Sequence, residues 1–218
     1  MRSPPCTIGP KDIYRYAATV LQHHLQWRDY GPKCTVTAVL QILFYAAAQL
    51  CSLFAACSRL RDAPSDQAVR DALVALCPDA ATLEAQFNRS FAEQLPQAVK
   101  HRRWRLAIDL QLRPYHGQPH CRPEEIYRRQ AKSGTTHFHA YATCYLVKQG
   151  RRYTVALTRV EKGMALVAVR KRLLQYASRA GIRPSLLLLD RGFYSVEVIR
   201  YLPAARRPFI MPVVKRGR

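Results

Sequence analysis

A short apolar strand that ends in an acid is the feature that most constrains this chain. Four leucines at 186–189 precede Asp190, with a proline shortly before the run and a glycine shortly after it. This pattern predicts a strand buried on both faces, with Asp190 at its carboxyl end. An earlier apolar stretch, 104–110, carries Asp109 in a similar way. The two segments together suggest a pair of carboxylates that binds metal.

The chain is strongly basic, and the charge is unevenly distributed. The formal net charge is +21 over 218 residues, and 25 of the 35 lysines and arginines follow residue 100, against 6 of the 14 acidic residues. Such a surface attracts polyanions, of which nucleic acid is the most common. A merely solvated basic face and a membrane-binding surface are the alternatives, although no single amphipathic helix concentrates the charge. The composition therefore favours DNA as a partner.

The seven cysteines are odd in number and form no Cys-x-x-Cys pair. This usage predicts reduced, mostly buried thiols in a cytoplasmic protein rather than a disulfide framework. The pairs His23-His24 and His137-Phe138-His139 have no cysteine or acid at a zinc-like spacing. The second pair shares one strand face, which is more typical of a structural or DNA-facing role than of a zinc site.

The first hundred residues predict a helical domain. Residues 34–57 carry no charge and are long enough to span a bilayer. Their glutamines, threonines and alanines, and the absence of a signal-peptide pattern, favour a buried helix or helix pair instead. Ser65 is a plausible N-cap for the next helix. The apolar face of that helix is predicted to hold Val69, Leu73 and Leu76.

A second helix is predicted after the break at Cys77-Pro78-Asp79. Two helices joined by a tight break are compatible with a helix-turn-helix that reads DNA, but the acidic local charge makes a plain helical subdomain an equal alternative. The apolar residues of this helix are spaced four apart, at Leu83, Phe87, Phe91 and Leu95.

After residue 101 the pattern changes to strands. The order strand, strand, strand, helix, strand, helix, strand predicts a mixed sheet flanked by helices. Between the first two strands we expect a loop and helix, bordered by Arg122, Arg128, Arg129 and Lys132, that tracks DNA or covers the sheet edge. The predicted strands are 103–112, 137–147, 152–160, 185–190 and 209–214, and the predicted helices are 164–180 and 195–205.

Asp109 and Asp190 fall on the first and fourth strands of this order. That is where the ribonuclease H-like fold places two acids side by side at the centre of its sheet. Carboxylates are hard oxygen donors that suit Mg²⁺ or Mn²⁺, and paired ions of this kind support in-line phosphoryl transfer. The alternative is that both acids merely cap turns at strand ends.

At these residues the chain resembles the catalytic core of bacterial insertion-sequence transposases, the DDE enzymes with a ribonuclease H-like core. The resemblance covers 101–218 well, and 34–100 only as the helical N-terminal region of that family. Its most specific block is Asp-Arg-Gly-Phe-Tyr-Ser. The blocks that carry it are residues 107–110, 114–117, 134–141 and 190–195.

The resemblance implies that Asp109 and Asp190 are the first two catalytic, metal-binding acids. It implies Mg²⁺ or Mn²⁺ as the cofactor, transposon ends and target DNA as partners, and DNA strand cleavage and strand transfer as the reaction. The third acid of the family, a glutamate on a later helix, has no counterpart before residue 218. A truncated, weak or inactive transposase is therefore expected, located in the cytoplasm at the nucleoid, without a membrane anchor and with a second copy of itself as a candidate partner in a homodimer.

Two other functions remain open from the sequence. One is a non-catalytic DNA-binding regulator derived from a transposase, and the other is a different ribonuclease H-like nuclease. In all three cases we expect an α/β protein with a helical N-terminal domain at 1–100, which is a candidate for DNA binding, and an incomplete ribonuclease H-like mixed sheet flanked by helices at 101–218.

Several basic residues are candidates for contacts with DNA phosphates. Each also fits a solvated charge run, and Arg191 alternatively forms a salt bridge with a neighbour. The candidates are Arg102, Arg103, Arg105, Arg191, Lys215 and Arg216.

Overall fold

The computed structural model describes residues 8–118, 123–148, 150–204, 206 and 208–213. The chain divides into two compact units, residues 1–86 and residues 87–218. Where it is described, the first unit is helical, and the second contains the sheet together with the end of the last N-terminal helix. The fold is therefore α/β, with a helical N-terminal region followed by an open mixed sheet.

Short polar side chains begin most helices of the first unit. The Ser65 hydroxyl accepts a hydrogen bond from the backbone N–H of Ala68 at 3.2 Å, which confirms the predicted N-cap. Thr35 and Ser52 cap their helices in the same way. The helices are α1 (Pro10–Leu25), α2 (Val36–Gln49), α3 (Leu53–Arg59), α4 (Asp66–Leu76) and α5 (Ala80–Gln94), the last of which continues into the second unit.

The uncharged stretch forms a pair of helices, as predicted, because α2 and α3 are separated by a bend of 109°. In the part of the chain that the structure describes, no single helix has the length and apolar character needed to cross a membrane. Only this bent pair satisfies the criterion when taken together. Val39 and Ile42 of α2 are fully buried in two small apolar clusters.

The second unit contains a six-stranded mixed sheet with the strand order of a ribonuclease H-like core. Its central strand β1 pairs antiparallel with β3 on one side and parallel with β5 on the other. Both β2 and β4 pair with β3, and β6 extends the opposite edge beyond β5. The strands are β1 (Arg103–Pro114), β2 (Tyr127–Lys132), β3 (Thr135–Lys148), β4 (Arg151–Val160), β5 (Arg183–Leu189) and β6 (Phe209–Ile210).

Two helices cover one face of this sheet, and the apolar core lies beneath them. They are α6 (Leu166–Arg179) and α7 (Val196–Ala204). Even-numbered residues of β1, such as Leu106 and Ile108, point into this core, which also holds Leu173 of α6. The opposite face, formed by the odd-numbered residues of β1 and their neighbours on the adjacent strands, is termed the open face.

The expectation that β5 is buried on both faces is wrong. Leu187 and Leu189 lie in the core, whereas Leu186 and Leu188 are only half-buried on the open face. A continuous apolar run shows that a strand is hydrophobic, but it does not show which face of the strand is covered. In the described part of the chain, helices pack on only one face of the sheet.

The segment after β1 also differs from the prediction. Residues expected to form a loop and helix instead form β2, an exposed strand that pairs with the start of β3. Ser133 and Gly134 both have positive φ, and Lys132 pairs with Thr135 around them. Two such residues make the tight hairpin turn that matches strand twist, which explains why the chain reverses here.

Arg170 of α6 is buried, and its guanidinium lies 4.1 Å from the ring centroid of Tyr201 on α7. Cation–π packing between the two helices accounts for a charged residue at a buried position.

The buried face of α5 is polar where the sequence suggested an apolar stripe. Leu83, Phe87 and Phe91 are half-buried, whereas Asn88 is buried against β4. The Asn88 side-chain amide donates to the Leu157 carbonyl at 2.7 Å and accepts from the Leu157 N–H at 2.9 Å. This side chain satisfies backbone groups on the free edge of β4, a role that an apolar residue cannot fill.

Candidate functional site

Asp109 and Asp190 lie next to each other on adjacent parallel strands. Ile108 of β1 pairs with Leu189 of β5, and the N–H of Asp190 donates to the Ile108 carbonyl at 3.1 Å. Neighbouring strands are about 4.8 Å apart, so the next residue on each strand carries its carboxylate to the same place. Asp109 is half-buried and Asp190 is exposed.

A tight turn fixes the Asp190 carboxylate. Residues Arg191–Phe193 form one turn of 3-10 helix, and the N–H of Gly192 donates to Oδ2 of Asp190 at 3.2 Å. A Cβ at residue 192 would lie 3.0 Å from that oxygen and 3.4 Å from the Leu110 side chain, so glycine is needed for this close approach. Arg129 of β2 holds the turn from outside by donating to the Gly192 carbonyl at 3.1 Å.

A cleft of about 430 Å³ opens on the same face, beside the two acids. It is lined by Ala107, Tyr145, Val147, Arg152 and Leu188 as well as by Asp109 and Asp190. Sequence reasoning missed Tyr145 and Arg152. The signal was present, because strict alternation along two strands joined by a short turn assigns both residues to one face.

Three of the predicted DNA-contacting arginines lie at the start of β1. Arg103 and Arg105 are exposed on the open face, and Arg102 immediately precedes the strand. Arg105 lies four positions before Asp109, which places them roughly 13 Å apart along the strand at about 3.3 Å per residue. They therefore flank the acid pair rather than contact it.

Arg191 is exposed directly beside Asp190. Of the two alternatives that the sequence left open for it, a local salt bridge is not formed with any residue that the structure describes. Lys215 and Arg216 lie outside the described residues.

A second basic region lies beyond the acids on the open face. Arg113 of β1 pairs with His139 of β3, and Arg128 of β2 pairs with His137. Phe138 between the two histidines is fully buried, which confirms that the two imidazoles share the opposite face. The acid pair is therefore bordered by basic residues at both ends.

The donor chemistry of the pair fits a hard divalent cation. Two carboxylates are present, and within the described ranges no third His, Cys, Asp or Glu ligand atom groups with them. Two nearby acids are engaged elsewhere, because Arg159 pairs with Glu125 at 3.5 Å and with Glu161 at 3.1 Å. Neither is therefore a candidate for a missing ligand.

The described cysteines do not form part of this site. Cys34, Cys51, Cys57, Cys77 and Cys144 are free thiols. Complete burial raises the pKa of Cys144 to about 12, so this thiol stays protonated at neutral pH and is a poor nucleophile and metal ligand.

No protein-family model matches this sequence, and no curated protein is significantly similar to it. The functional argument therefore depends on the geometry of the acid pair and on the charge around it.

Proposed function

We propose that the protein is a transposase that binds DNA and holds a divalent ion, Mg²⁺ or Mn²⁺, with Asp109 and Asp190. The observation that supports this most strongly is the position of the two carboxylates, side by side on β1 and at the end of β5. The proposed chemistry is phosphoryl transfer at a DNA phosphodiester. A form with a third acid would cut transposon ends and join them to target DNA, in the cytoplasm at the nucleoid.

The side chains around the pair suit this role. The Gly192 N–H anchors one oxygen of Asp190, while the Asp109 carboxylate has no hydrogen bond or ion pair with any described residue. Both carboxylates can therefore supply oxygen ligands, and a divalent ion bound there would offset phosphate charge and lower the pKa of a bound water. Arg191 is exposed next to the pair and can bind a phosphate oxygen.

The charge of the second unit supports DNA as the polyanion. Arginines at the start of β1 and basic residues at the far end of the open face border the acids on both sides. A DNA backbone that crosses this face would meet positive charge before and after the carboxylates. This arrangement offsets the repulsion between two acids and a phosphate.

The test compares Asp109→Asn and Asp190→Asn with a matched control, Glu197→Gln. Glu197 is an exposed acid at the start of α7, seven residues after Asp190. Mn²⁺ binding is measured by electron paramagnetic resonance, and plasmid nicking is measured with added Mg²⁺ or Mn²⁺. We expect both Asn variants to lose Mn²⁺ binding and any nicking, and the control to keep both.

DNA affinity is measured in parallel with chelator present. It should stay the same or rise slightly in the Asn variants, since each removes a negative charge near the phosphates. Unchanged Mn²⁺ binding in the Asp109→Asn/Asp190→Asn double variant would rule out the metal site. Failure of the unaltered protein to bind DNA at low salt would rule out the whole proposal.

One observation favours a second candidate, a non-catalytic DNA-binding regulator. Among the described residues the acid pair has no third ligand, so a second ion would be poorly fixed. This candidate predicts DNA binding that is unaffected by Asp190→Asn, with no metal-dependent nicking by the unaltered protein under any of the conditions above.

A further inference from the structure

The geometry points to a binding subsite for one unpaired nucleotide of DNA in the cleft beside the acids, with the base against Tyr145 and a backbone phosphate on Arg152. This inference deepens the proposed function and rests on it in one respect, that the polyanion is DNA. It adds that the DNA is single-stranded at this point, which neither the acids nor the overall charge requires.

The cleft exists because a small residue lies between two large ones. Ala107 of β1 pairs with Tyr145 of β3 on one side and with Leu188 of β5 on the other. All three side chains share the open face, so the alanine leaves a depression with an apolar floor and an aromatic wall. The volume of about 430 Å³ lies in the range of small-molecule sites and suits one nucleotide rather than a duplex.

Arg152 places a positive charge at the cleft, where the phosphate of a bound nucleotide would need one. The Arg152 guanidinium is 5.6 Å from the centre of the Tyr145 ring, and Arg152 is exposed. A second arginine on this face, Arg105, lies two residues before Ala107 on β1 and pairs with Leu186 of β5. Tyr145 is half-buried and lines the cleft. An arginine beside an accessible aromatic ring is a combination that binds single-stranded nucleic acid, because the ring stacks on a base and the arginine contacts its phosphate.

Base pairing in a duplex would prevent the nucleotide from binding in this way. A base within a duplex is stacked on both sides and its ring faces are covered, so Tyr145 can reach a base face only at an unpaired nucleotide. The apolar floor formed by Ala107 and Leu188 likewise suits a base and not the charged backbone that a duplex presents.

The experiment measures fluorescence anisotropy of a labelled single-stranded DNA oligonucleotide and of the blunt duplex of the same sequence, with chelator present. Arg152→Gln is compared with Arg151→Gln, which makes the same charge change at the adjacent exposed residue on the opposite face of β4. Tyr145→Leu removes the ring, and Tyr145→Phe keeps it. Thermal unfolding checks that each variant folds.

We expect Tyr145→Leu to weaken single-strand binding about 10-fold, with Tyr145→Phe close to the unaltered protein. Arg152→Gln should reduce the magnitude of the slope of log affinity against log salt by about 0.7, the value for one phosphate contact on a single strand. Arg151→Gln should reduce that magnitude by less than Arg152→Gln does. Duplex affinity should change little in all four variants.

Equal effects of Arg152→Gln and Arg151→Gln on the single strand would overturn the subsite, and this comparison does not depend on how well Tyr145→Leu folds. Equal loss of single-strand and duplex binding would also overturn it. These results are separate from those for the acids, because chelator removes metal from the assay. Loss of metal binding in Asp190→Asn with the single-strand effects intact would support both the metal site and the subsite.

Discussion

Asp109 and Asp190 are adjacent because the N–H of Asp190 donates to the carbonyl of Ile108, the residue before Asp109. This single bond continues the parallel pairing of β1 and β5 one residue past the end of β5. A one-residue slip in this register would turn one carboxylate to the helix-covered face. The proposed metal site therefore depends on backbone pairing as much as on the acids themselves.

Gly192, two residues after Asp190, should be essential to the shape of the proposed metal site. Gly192→Ala puts a Cβ 3.0 Å from Oδ2 of Asp190, so the carboxylate or the turn must shift. We expect Mn²⁺ affinity to fall about 10-fold or more, as is typical when a group that orients a metal ligand is disturbed. Titration calorimetry or electron paramagnetic resonance would measure it.

Gly31→Ala is the matched control, because a Cβ there would have no atom within 4 Å. If the two alanine variants bind Mn²⁺ equally well, the turn at 191–193 does not position Asp190 for metal.

Asn88 should stabilise the sheet from its edge. Asn88→Ala leaves the N–H and carbonyl of Leu157 without this partner, and we expect the free energy of unfolding to fall by about 1–3 kcal/mol. Urea denaturation measures this loss. Arg89→Ala, at an exposed position of the same helix, should change stability by less than half as much. A similar loss in both variants would assign the effect to the helix itself.

The buried thiol on β3 predicts a fall in stability at alkaline pH. Burial raises the pKa of Cys144 to about 12 from the ordinary value of 9.0. Well below pH 9 the thiol is protonated in both states. As the pH rises from 9 towards 12, only the unfolded chain releases the proton, so the free energy of unfolding falls.

Cys144→Ala removes this one contribution. The difference in stability between the unaltered protein and the variant should therefore shrink as the pH rises from 8 to about 10.5. Urea titrations at the two pH values measure it. A constant difference would mean that Cys144 titrates alike in the folded and unfolded chain.

The N-cap of α4 should contribute to the stability of the first unit. Ser65→Ala removes the acceptor for the Ala68 N–H, at an expected cost of about 1 kcal/mol. Ser65→Asp keeps an acceptor at the same position and should restore most of the loss. Thermal unfolding of the two variants compares them, and equal destabilisation by Ala and Asp would mean that the cap bond does not matter.

Much of the local structure could be predicted because it depends on neighbours in the sequence. Ser65 caps the start of a helix and Asp190 directly follows the last residue of a strand, both as expected. The errors arose where distant packing decided the outcome. Leu186 and Leu188 are only half-buried because the helices pack on the other face of the sheet, and no local pattern contains that information.

The strand β2 could not be predicted from the sequence for a different reason. Its six residues, Tyr127–Lys132, carry three basic side chains and are mostly exposed, so they show no apolar alternation. The strand forms because the Ser133-Gly134 turn returns the chain alongside β3. The strand after the turn was predicted, at 137–147, but the strand before it was not.

By itself, the sequence determined the class of fold, the basic character of the second unit and the strand that delivers Asp190, because composition and periodicity act over short stretches of chain. Only the tertiary structure decided that Asp190 lies beside Asp109, and that Tyr145, Ala107 and Arg152 form a cleft next to both. The physical reason is register. Which residues meet across strands depends on hydrogen bonds between segments far apart in the chain, and a shift of one residue would give the same strands a different face.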